Sequence, residues 1–197
     1  WIGTEEGLNR YDGIMIKSYS ICPQAAGKYI SSLYGTKKNI WIGTDEGIYI
    51  YAYATETFTY FDLTTPNNVR ITSIVNHILQ DKDGNLWFST NGQGLFRYNL
   101  SKNYLEQYEF TSAFGIVAST MADSDNQIWA LTNQGESGVY KLNKAENKFE
   151  PFGLLYNAGN HHSQALAMLE DSEQTLWLGT WECGLQKIDK YTRQTTT

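Results

Sequence analysis

The fold is decided by the stretch Trp1-Ile2-Gly3-Thr4-Glu5-Glu6-Gly7-Leu8-Asn9-Arg10-Tyr11-Asp12, which the chain restates four times. The later copies begin at the following tryptophans: Trp41, Trp87, Trp129 and Trp177. Successive tryptophans are separated by 40, 46, 42 and 48 residues. A self-similar period in the forties predicts a repeat architecture in which each copy forms one supersecondary unit.

Each copy predicts four short strands, named a to d here, with tight turns between them. The third copy shows the pattern most clearly, with strands predicted over Val75–Gln80, Leu86–Thr90, Leu95–Asn99 and Tyr104–Phe110. Asp, Gly and Asn between these segments tolerate left-handed backbone and favour turns. In the fifth copy, the run from Ser163 to Glu170 has helix-forming residues. Its position in the repeat nevertheless predicts strand a over Ala165–Leu169.

Four-stranded antiparallel units at this period predict an all-β fold, the β-propeller, whose blades surround a central axis. The predicted repeats cover 1–28 (strands b to d only), 29–70, 71–112, 113–160 and 161–197, and Tyr191–Thr197 is the candidate last strand. We expect about four and a half blades, forming an arc of a larger, seven-bladed ring. A closed five-bladed ring is the alternative, and it would bring Cys22 towards Cys183.

Three repeated positions are predicted to anchor the blades. One tryptophan per copy (Trp1, Trp41, Trp87, Trp129, Trp177) fills the wedge between neighbouring blades, a burial worth about 2–3 kcal/mol each. The glycine two residues later (Gly3, Gly43, Gly179) allows close approach of another backbone. The glycine before strand c (Gly7, Gly47, Gly94, Gly138, Gly184) supplies a positive φ in the b–c turn.

Composition narrows the class of protein. The chain has 15 basic and 21 acidic residues, a net charge of −6, so we expect no nucleic-acid partner. It has no run of eighteen apolar residues, which predicts no direct membrane contact by this stretch. The two cysteines lack metal-binding spacing and are interpreted as apolar fillers, and no cofactor is predicted. Because the chain starts at the tryptophan of a repeat, we expect it to be cut from a longer polypeptide.

The repeat resembles a known family. Asp81-Lys82-Asp83-Gly84-Asn85-Leu86-Trp87-Phe88-Ser89-Thr90, followed by Gly94-Leu95 and Tyr98-Asn99, is similar to the regulator-propeller repeat of two-component systems. The resemblance recurs in all five copies and is weakest in the fourth, where Trp129-Ala130-Leu131-Thr132 lacks the glycine. It implies a periplasmic sensor, anchored by a transmembrane helix to a histidine kinase, of the hybrid type best known from gut Bacteroidetes. Members of the family commonly detect oligosaccharides and control transcription.

Catalytic and metal-binding sets are not predicted. The axis-facing strands offer Ser31, Ser32, Asn76, His77, Ser119 and Thr120, which is poor material for acid–base chemistry. His77 is interpreted as a hydrogen-bonded residue of an inner strand. The adjacent His161 and His162 have no third ligand at a suitable spacing. The turn Asp81–Asn85 resembles a calcium loop only in part, since the closing glutamate is missing.

A ligand site is instead expected in the loops of one rim, where the d–a and b–c connections emerge together. Aromatic and planar polar side chains there suit sugars; the candidates are Trp181, Glu182, His161, His162, Asn160, Tyr156, Asn91, Gln93, Asn133 and Arg70. Trp181 has an alternative, purely structural role, which is packing on the next blade or loop.

The sequence therefore predicts an extracytoplasmic sensor that binds an oligosaccharide and signals across the membrane. Two alternatives stay open: a propeller that only supports or dimerises such a sensor, and a propeller lyase or glycosidase. Since the terminal blades lack partners within this stretch, we also expect self-association, or coverage by another chain.

Overall fold

The computed structural model describes residues 1–21, 29–110, 115–132, 138–154, 165–181, 184–193 and 195–196. Over these residues the chain forms nineteen strands in five antiparallel sheets. None of the described residues belongs to a helix long and apolar enough to cross a membrane.

Each sheet is one blade, and its strands are hydrogen-bonded in chain order. Blade 1 has three strands, β1 (Ile2–Thr4), β2 (Gly7–Tyr11) and β3 (Ile16–Tyr19). Blade 2 has β4 (Ile30–Gly35), β5 (Asn39–Thr44), β6 (Gly47–Ala52) and β7 (Thr57–Tyr60). Blade 3 has β8 (Val75–Gln80), β9 (Leu86–Thr90), β10 (Leu95–Asn99) and β11 (Tyr104–Tyr108). Blade 4 has β12 (Val117–Ala122), β13 (Ile128–Thr132), β14 (Gly138–Asn143) and β15 (Lys148–Leu154). Blade 5 has β16 (Ala165–Glu170), β17 (Leu176–Thr180), β18 (Leu185–Ile188) and β19 (Thr195–Thr196).

These strands confirm the predicted all-β architecture. The first three strands of blade 3 have the predicted bounds, and Ala165–Glu170 is a strand despite its helix-forming composition. The tail also supplies a short fourth strand, because β19 pairs with β18. The inner strands β4, β8, β12 and β16 pack on one another in sequence, which arranges the blades as an arc of a β-propeller.

Every described inner strand contains an irregularity at the same place. The pairing register with strand b shifts between Ile30 and Ser32, Val75 and His77, Val117 and Ser119, and Ala165 and Ala167. One residue of each strand is therefore left out of the ladder: Ser31, Asn76, Ala118 and Leu166. Such β-bulges bend a strand and redirect a side chain.

Four of the five repeated tryptophans lie between successive blades; Trp177, in the last blade, is part-buried and has no following blade among the described residues. Trp41, Trp87 and Trp129 are buried, and each belongs to a core cluster that includes residues of the following blade. Trp1 contacts Tyr19 of its own blade and Tyr51 of blade 2, with ring centroids 5.2 Å apart in both cases.

Two polar groups hold most of these indoles. The ring N–H donates to an aspartate six residues earlier, from Trp87 to Asp81 at 2.8 Å and from Trp129 to Asp123 at 3.0 Å. Trp177 makes the same bond to Asp171. The residue directly across strand c places a cation over the ring, as Arg97 does 5.6 Å from the Trp87 centroid. Arg10, Lys141 and Lys187 do the same in blades 1, 4 and 5.

The glycine predictions need two corrections. Gly7, Gly47, Gly94 and Gly184 have the expected positive φ, but Gly138 does not. Gly138 is the first residue of β14 and pairs with Thr132 and Leu154. A Cβ at Gly43 would lie 3.0 Å from the Val75 carbonyl oxygen of blade 3, as close approach requires. At Gly179 the nearest such atom is 3.8 Å away, in its own blade.

Candidate functional site

Four of the ten predicted rim residues lie in the described part of the chain: Arg70, Asn91, Gln93 and Trp181. The other six lie outside the described residues: Glu182, His161, His162, Asn160, Tyr156 and Asn133. Cys22 and Cys183 lie outside them as well.

Gln93 ties two rim segments together. Its Oε1 accepts hydrogen bonds from the backbone N–H of Thr72 and Ser73, at 2.9 and 3.0 Å. Its Nε2 donates to the carbonyl oxygen of Arg70 at 2.9 Å. The amide therefore fixes the b–c turn of blade 3 against the connection from blade 2. Its geometry gives it a positioning role.

The remaining rim candidates are separate. Arg70 pairs with Asp62 at 2.6 Å, and both side chains are well exposed, so the pair contributes little stability. Trp181 is 72% exposed. Asn91 alone of these four residues faces the axis, where it lines a cavity.

The axial cavity has a volume of about 450 Å³ and is formed by three consecutive blades. Its lining consists of Tyr29 and Ser31 from blade 2, Ile74, Asn76 and Asn91 from blade 3, and Ile116 and Ala118 from blade 4. Three of these residues are the bulge residues of their strands. A bulge shifts the alternation of buried residues by one, as the spacing of the buried Val75 and Ile78 shows, but the predicted rim site does not use this signal and so misses the cavity.

Hydrogen bonds between blades hold the lining in place. Ser31 Oγ and Ser32 Oγ both donate to the carbonyl oxygen of Val75, at 2.8 Å. Asn76 Nδ2 donates to the carbonyl oxygen of Val117 at 2.9 Å. The backbone of Asn91 bonds to Ile74 and forms a β-bridge with Ile116. The walls of the cavity are therefore braced from one blade to the next.

His77 stands next to this cavity but does not line it. Burial lowers the pKa of its imidazole below the usual 6.5. Its Nδ1 accepts a long hydrogen bond, 3.4 Å, from the backbone N–H of Thr120 in blade 4. His77 is thus a neutral, hydrogen-bonded residue between blades, as the sequence predicted.

In the acidic turn Asp81–Asn85 of blade 3, the carboxylate of Asp81 binds neighbouring groups of the chain. The carboxylate of Asp81 accepts bonds from the backbone and side-chain amides of Asn85 and from the indole of Trp87. Among the described residues, no group of three His, Cys, Asp or Glu side chains is placed to bind a metal ion. The acidic residue that gives this turn its partial likeness to a calcium loop is therefore explained by its hydrogen bond to Trp87, here called the aspartate bracket.

A second polar cluster lies on the opposite face of the propeller, at the a–b turns. Lys190 Nζ contacts Glu170 at 2.7 Å and Asp125 at 2.9 Å, and its side chain is 3% exposed. Burial acts to lower the pKa of Lys190, but the bonds to Glu170 and Asp125 outweigh it and the pKa is raised. Glu170 also accepts a bond from the Ser124 hydroxyl. This cluster fastens blade 5 to blade 4.

Comparison with known proteins supports the resemblance found in the sequence. Residues 68–92 match the two-component regulator propeller family. The chain is 28% identical, over 134 residues, to histidine kinase P4 of Formosa agariphila. That alignment covers 64% of this chain and 9% of the relative. The chain thus carries a two-component regulator propeller repeat, and it spans a small part of the curated relative that it matches.

Solved structures show the fold. The extracellular domain of a hybrid two-component system from B. thetaiotaomicron superposes with a TM-score of 0.83 at 23% identity, over 100% of this chain and 26% of that one. Virginiamycin B lyase from Staphylococcus aureus superposes with a TM-score of 0.66 at 17% identity, over 85% of this chain and 54% of the lyase. At these identities the likeness establishes a β-propeller.

Proposed function

We propose that this chain is part of the extracytoplasmic, periplasmic sensor of a hybrid two-component histidine kinase, and that the sensor recognises an oligosaccharide. The observation that carries the proposal is the regulator-propeller match at residues 68–92, within a chain that restates the same pattern in each blade. The histidine kinase of Formosa agariphila supports the same class. In this proposal, ligand binding changes the orientation of the sensor domains and thereby controls transcription.

The test is a binding experiment on the complete ectodomain that contains this chain. Isothermal titration calorimetry against a panel of neutral and acidic oligosaccharides should give saturable binding to at least one class. Absence of binding across the panel would contradict the ligand half of the proposal. A membrane-reconstituted full-length protein, whose autophosphorylation changes with the same oligosaccharide, would connect binding to signalling.

The alternative is a propeller that only supports or dimerises such a sensor. Blade 1 exposes Ile2 and Ile16, and blade 5 exposes Leu169 and Leu185. Large exposed apolar side chains on a blade face favour association with another surface, which is either a neighbouring blade of the same polypeptide or a second chain. Sedimentation analysis of residues 1–197 should show a dimer that Leu169→Ser with Leu185→Ser dissolves; a monomer at high concentration would count against self-association.

The enzyme alternative has weaker support. Among the described residues that line the axial cavity, none is a carboxylate or a histidine. The superposition on a lyase concerns the fold, so substrate turnover by the ectodomain is the observation that would favour this alternative.

A further inference from the structure

We infer that the axial cavity is the ligand pocket of this propeller and that it selects uncharged, hydroxyl-rich ligands. The inference rests on the proposed function and adds the place of the site and the charge class of the ligand. The volume of the axial cavity, about 450 Å³, falls within the range of about 300–1,000 Å³ that is usual for small-molecule sites.

Three of the four bulges explain how the fold builds such a pocket. In each of three strands the residue outside the ladder, Ser31, Asn76 or Ala118, lines the cavity. The residue two positions earlier adds a second contact, as Tyr29, Ile74 and Ile116 do. The residue between them is buried in the blade core: Ile30, Val75 and Val117. Two positions in each of these three repeats, together with Asn91, therefore form the lining, and the position between them is buried in the blade.

Ser31 and Asn76 favour a ligand that donates, whereas the side-chain amide of Asn91 and the hydroxyl of Tyr29, which also line the cavity, can donate or accept. Ser31 uses its one hydroxyl proton on Val75, and Asn76 uses Nδ2 on Val117. The lone pairs of Ser31 Oγ and the Oδ1 of Asn76 are left to accept. Ligand hydroxyl groups can donate to them, whereas carboxylate and sulfate groups are acceptors only.

The lack of charged side chains among the described lining residues also favours an uncharged ligand. No Lys, Arg, His, Asp or Glu lines the cavity among the described residues. An anionic group held there would gain no counter-charge from the described residues of the lining, so its loss of water would not be offset by them. Tyr29, exposed at the cavity, offers an aromatic face to the apolar C–H surface of a sugar ring.

The experiment compares neutral gluco-, manno-, galacto- and xylo-oligosaccharides with oligogalacturonides and sulfated oligosaccharides on the complete ectodomain. Wild-type protein should bind a neutral member. Ala118→Arg, which fills the cavity and makes it cationic, should weaken that binding at least about tenfold, or 1.4 kcal/mol. Ala145→Arg is the matched control, since it places the same charge on an exposed turn of the same blade and should leave affinity unchanged.

A second pair of variants separates the site from the fold. Ser31→Ala removes an acceptor from the cavity, while Ser32 still satisfies the Val75 carbonyl. Ser32→Ala removes the same interblade bond without touching the lining. Only Ser31→Ala should weaken binding, by several-fold.

Each outcome is decisive. Binding of a neutral oligosaccharide that Ala118→Arg and Ser31→Ala leave intact overturns the axial site and preserves the proposed function. Binding restricted to anionic oligosaccharides overturns the charge class. Binding of no oligosaccharide overturns this inference together with the ligand half of the proposed function.

Discussion

Trp41 and Trp87 occupy the same register position in neighbouring blades, yet they are held in different ways. Trp41 packs on Phe61, Phe88 and Tyr98, with ring centroids 5.4 to 5.8 Å away, and its cross-strand partner is Ile50. Trp87 donates to Asp81 and lies beneath Arg97. Trp41 is thus held by aromatic contacts, whereas the tryptophans of blades 3 to 5 also contact charged side chains. Both blades place a buried indole against the next blade, but the side chains that hold the indole differ.

The comparison is tested most strongly by removing the two rings. Trp41→Ala and Trp87→Ala should each lower the free energy of unfolding by about 3–5 kcal/mol, because both leave a large buried cavity. Trp87→Ala should cost about 1 kcal/mol more, since it also leaves Asp81 and Arg97 without their partner. Urea titration followed by circular dichroism measures both. Trp181→Ala, at an exposed ring, is the control and should stay within about 0.5 kcal/mol.

The charged fastening between blades 4 and 5 should be nearly as sensitive. Lys190→Met removes a buried ammonium and leaves the carboxylates of Glu170 and Asp123 without compensation. We expect a loss of about 3 kcal/mol, at the low end for a broken buried pair because Asp125 remains solvated. Lys144→Met changes the equivalent, exposed lysine of blade 4 and should have little effect. Equal losses in the two variants would contradict the clamp.

The aspartate bracket is a smaller contribution. Asp81→Ala leaves the indole N–H of Trp87 and the amide of Asn85 without an acceptor, and should cost about 1–3 kcal/mol in the same titration. Asp45→Ala removes an exposed acid of the blade 2 turn and serves as the control. If both variants unfold at the wild-type midpoint, the bracket does not stabilise the wedge.

The mildest test is pH. The hydrogen bond from the Trp177 indole, with backbone bonds from Thr175 and Glu173, holds the pKa of Asp171 below its usual 3.8. A lowered folded-state pKa gives stability that is present above pH 3.8 and is lost as the pH falls through the folded value. The thermal midpoint should therefore fall at acidic pH, and less steeply in Asp171→Asn. An unchanged slope in that variant would show that Asp171 does not contribute.

Much of the fold could be predicted because the same signals recur at the same positions in each copy of the repeat. The register of Trp177 was enough to override the helical propensity of Ala165–Glu170. The sequence also contains the acceptor of the indole hydrogen bond, as an Asp six residues before Trp87, Trp129 and Trp177. These acids were explained as turn residues, so the bond to the indole was not predicted.

The candidate site was less accessible to sequence reasoning. Gln93 has the residue type of a ligand contact, yet its amide holds the backbone of Thr72 and Ser73. Ser31 and Asn76 were regarded only as weak acid–base material. Their joint exposure to one cavity depends on bulges and on blade packing, which act between distant parts of the chain.

The bulge gives two adjacent residues of one strand different roles: one packs in the blade core and the other lines the axial cavity. Val75 packs in the core against the neighbouring blade, whereas Asn76, which follows it, lies outside the ladder of its own sheet and donates to Val117 of blade 4. In the proposed ligand pocket, the side chains at these bulge positions can therefore vary without changing the strand pairing of the sheet that presents them.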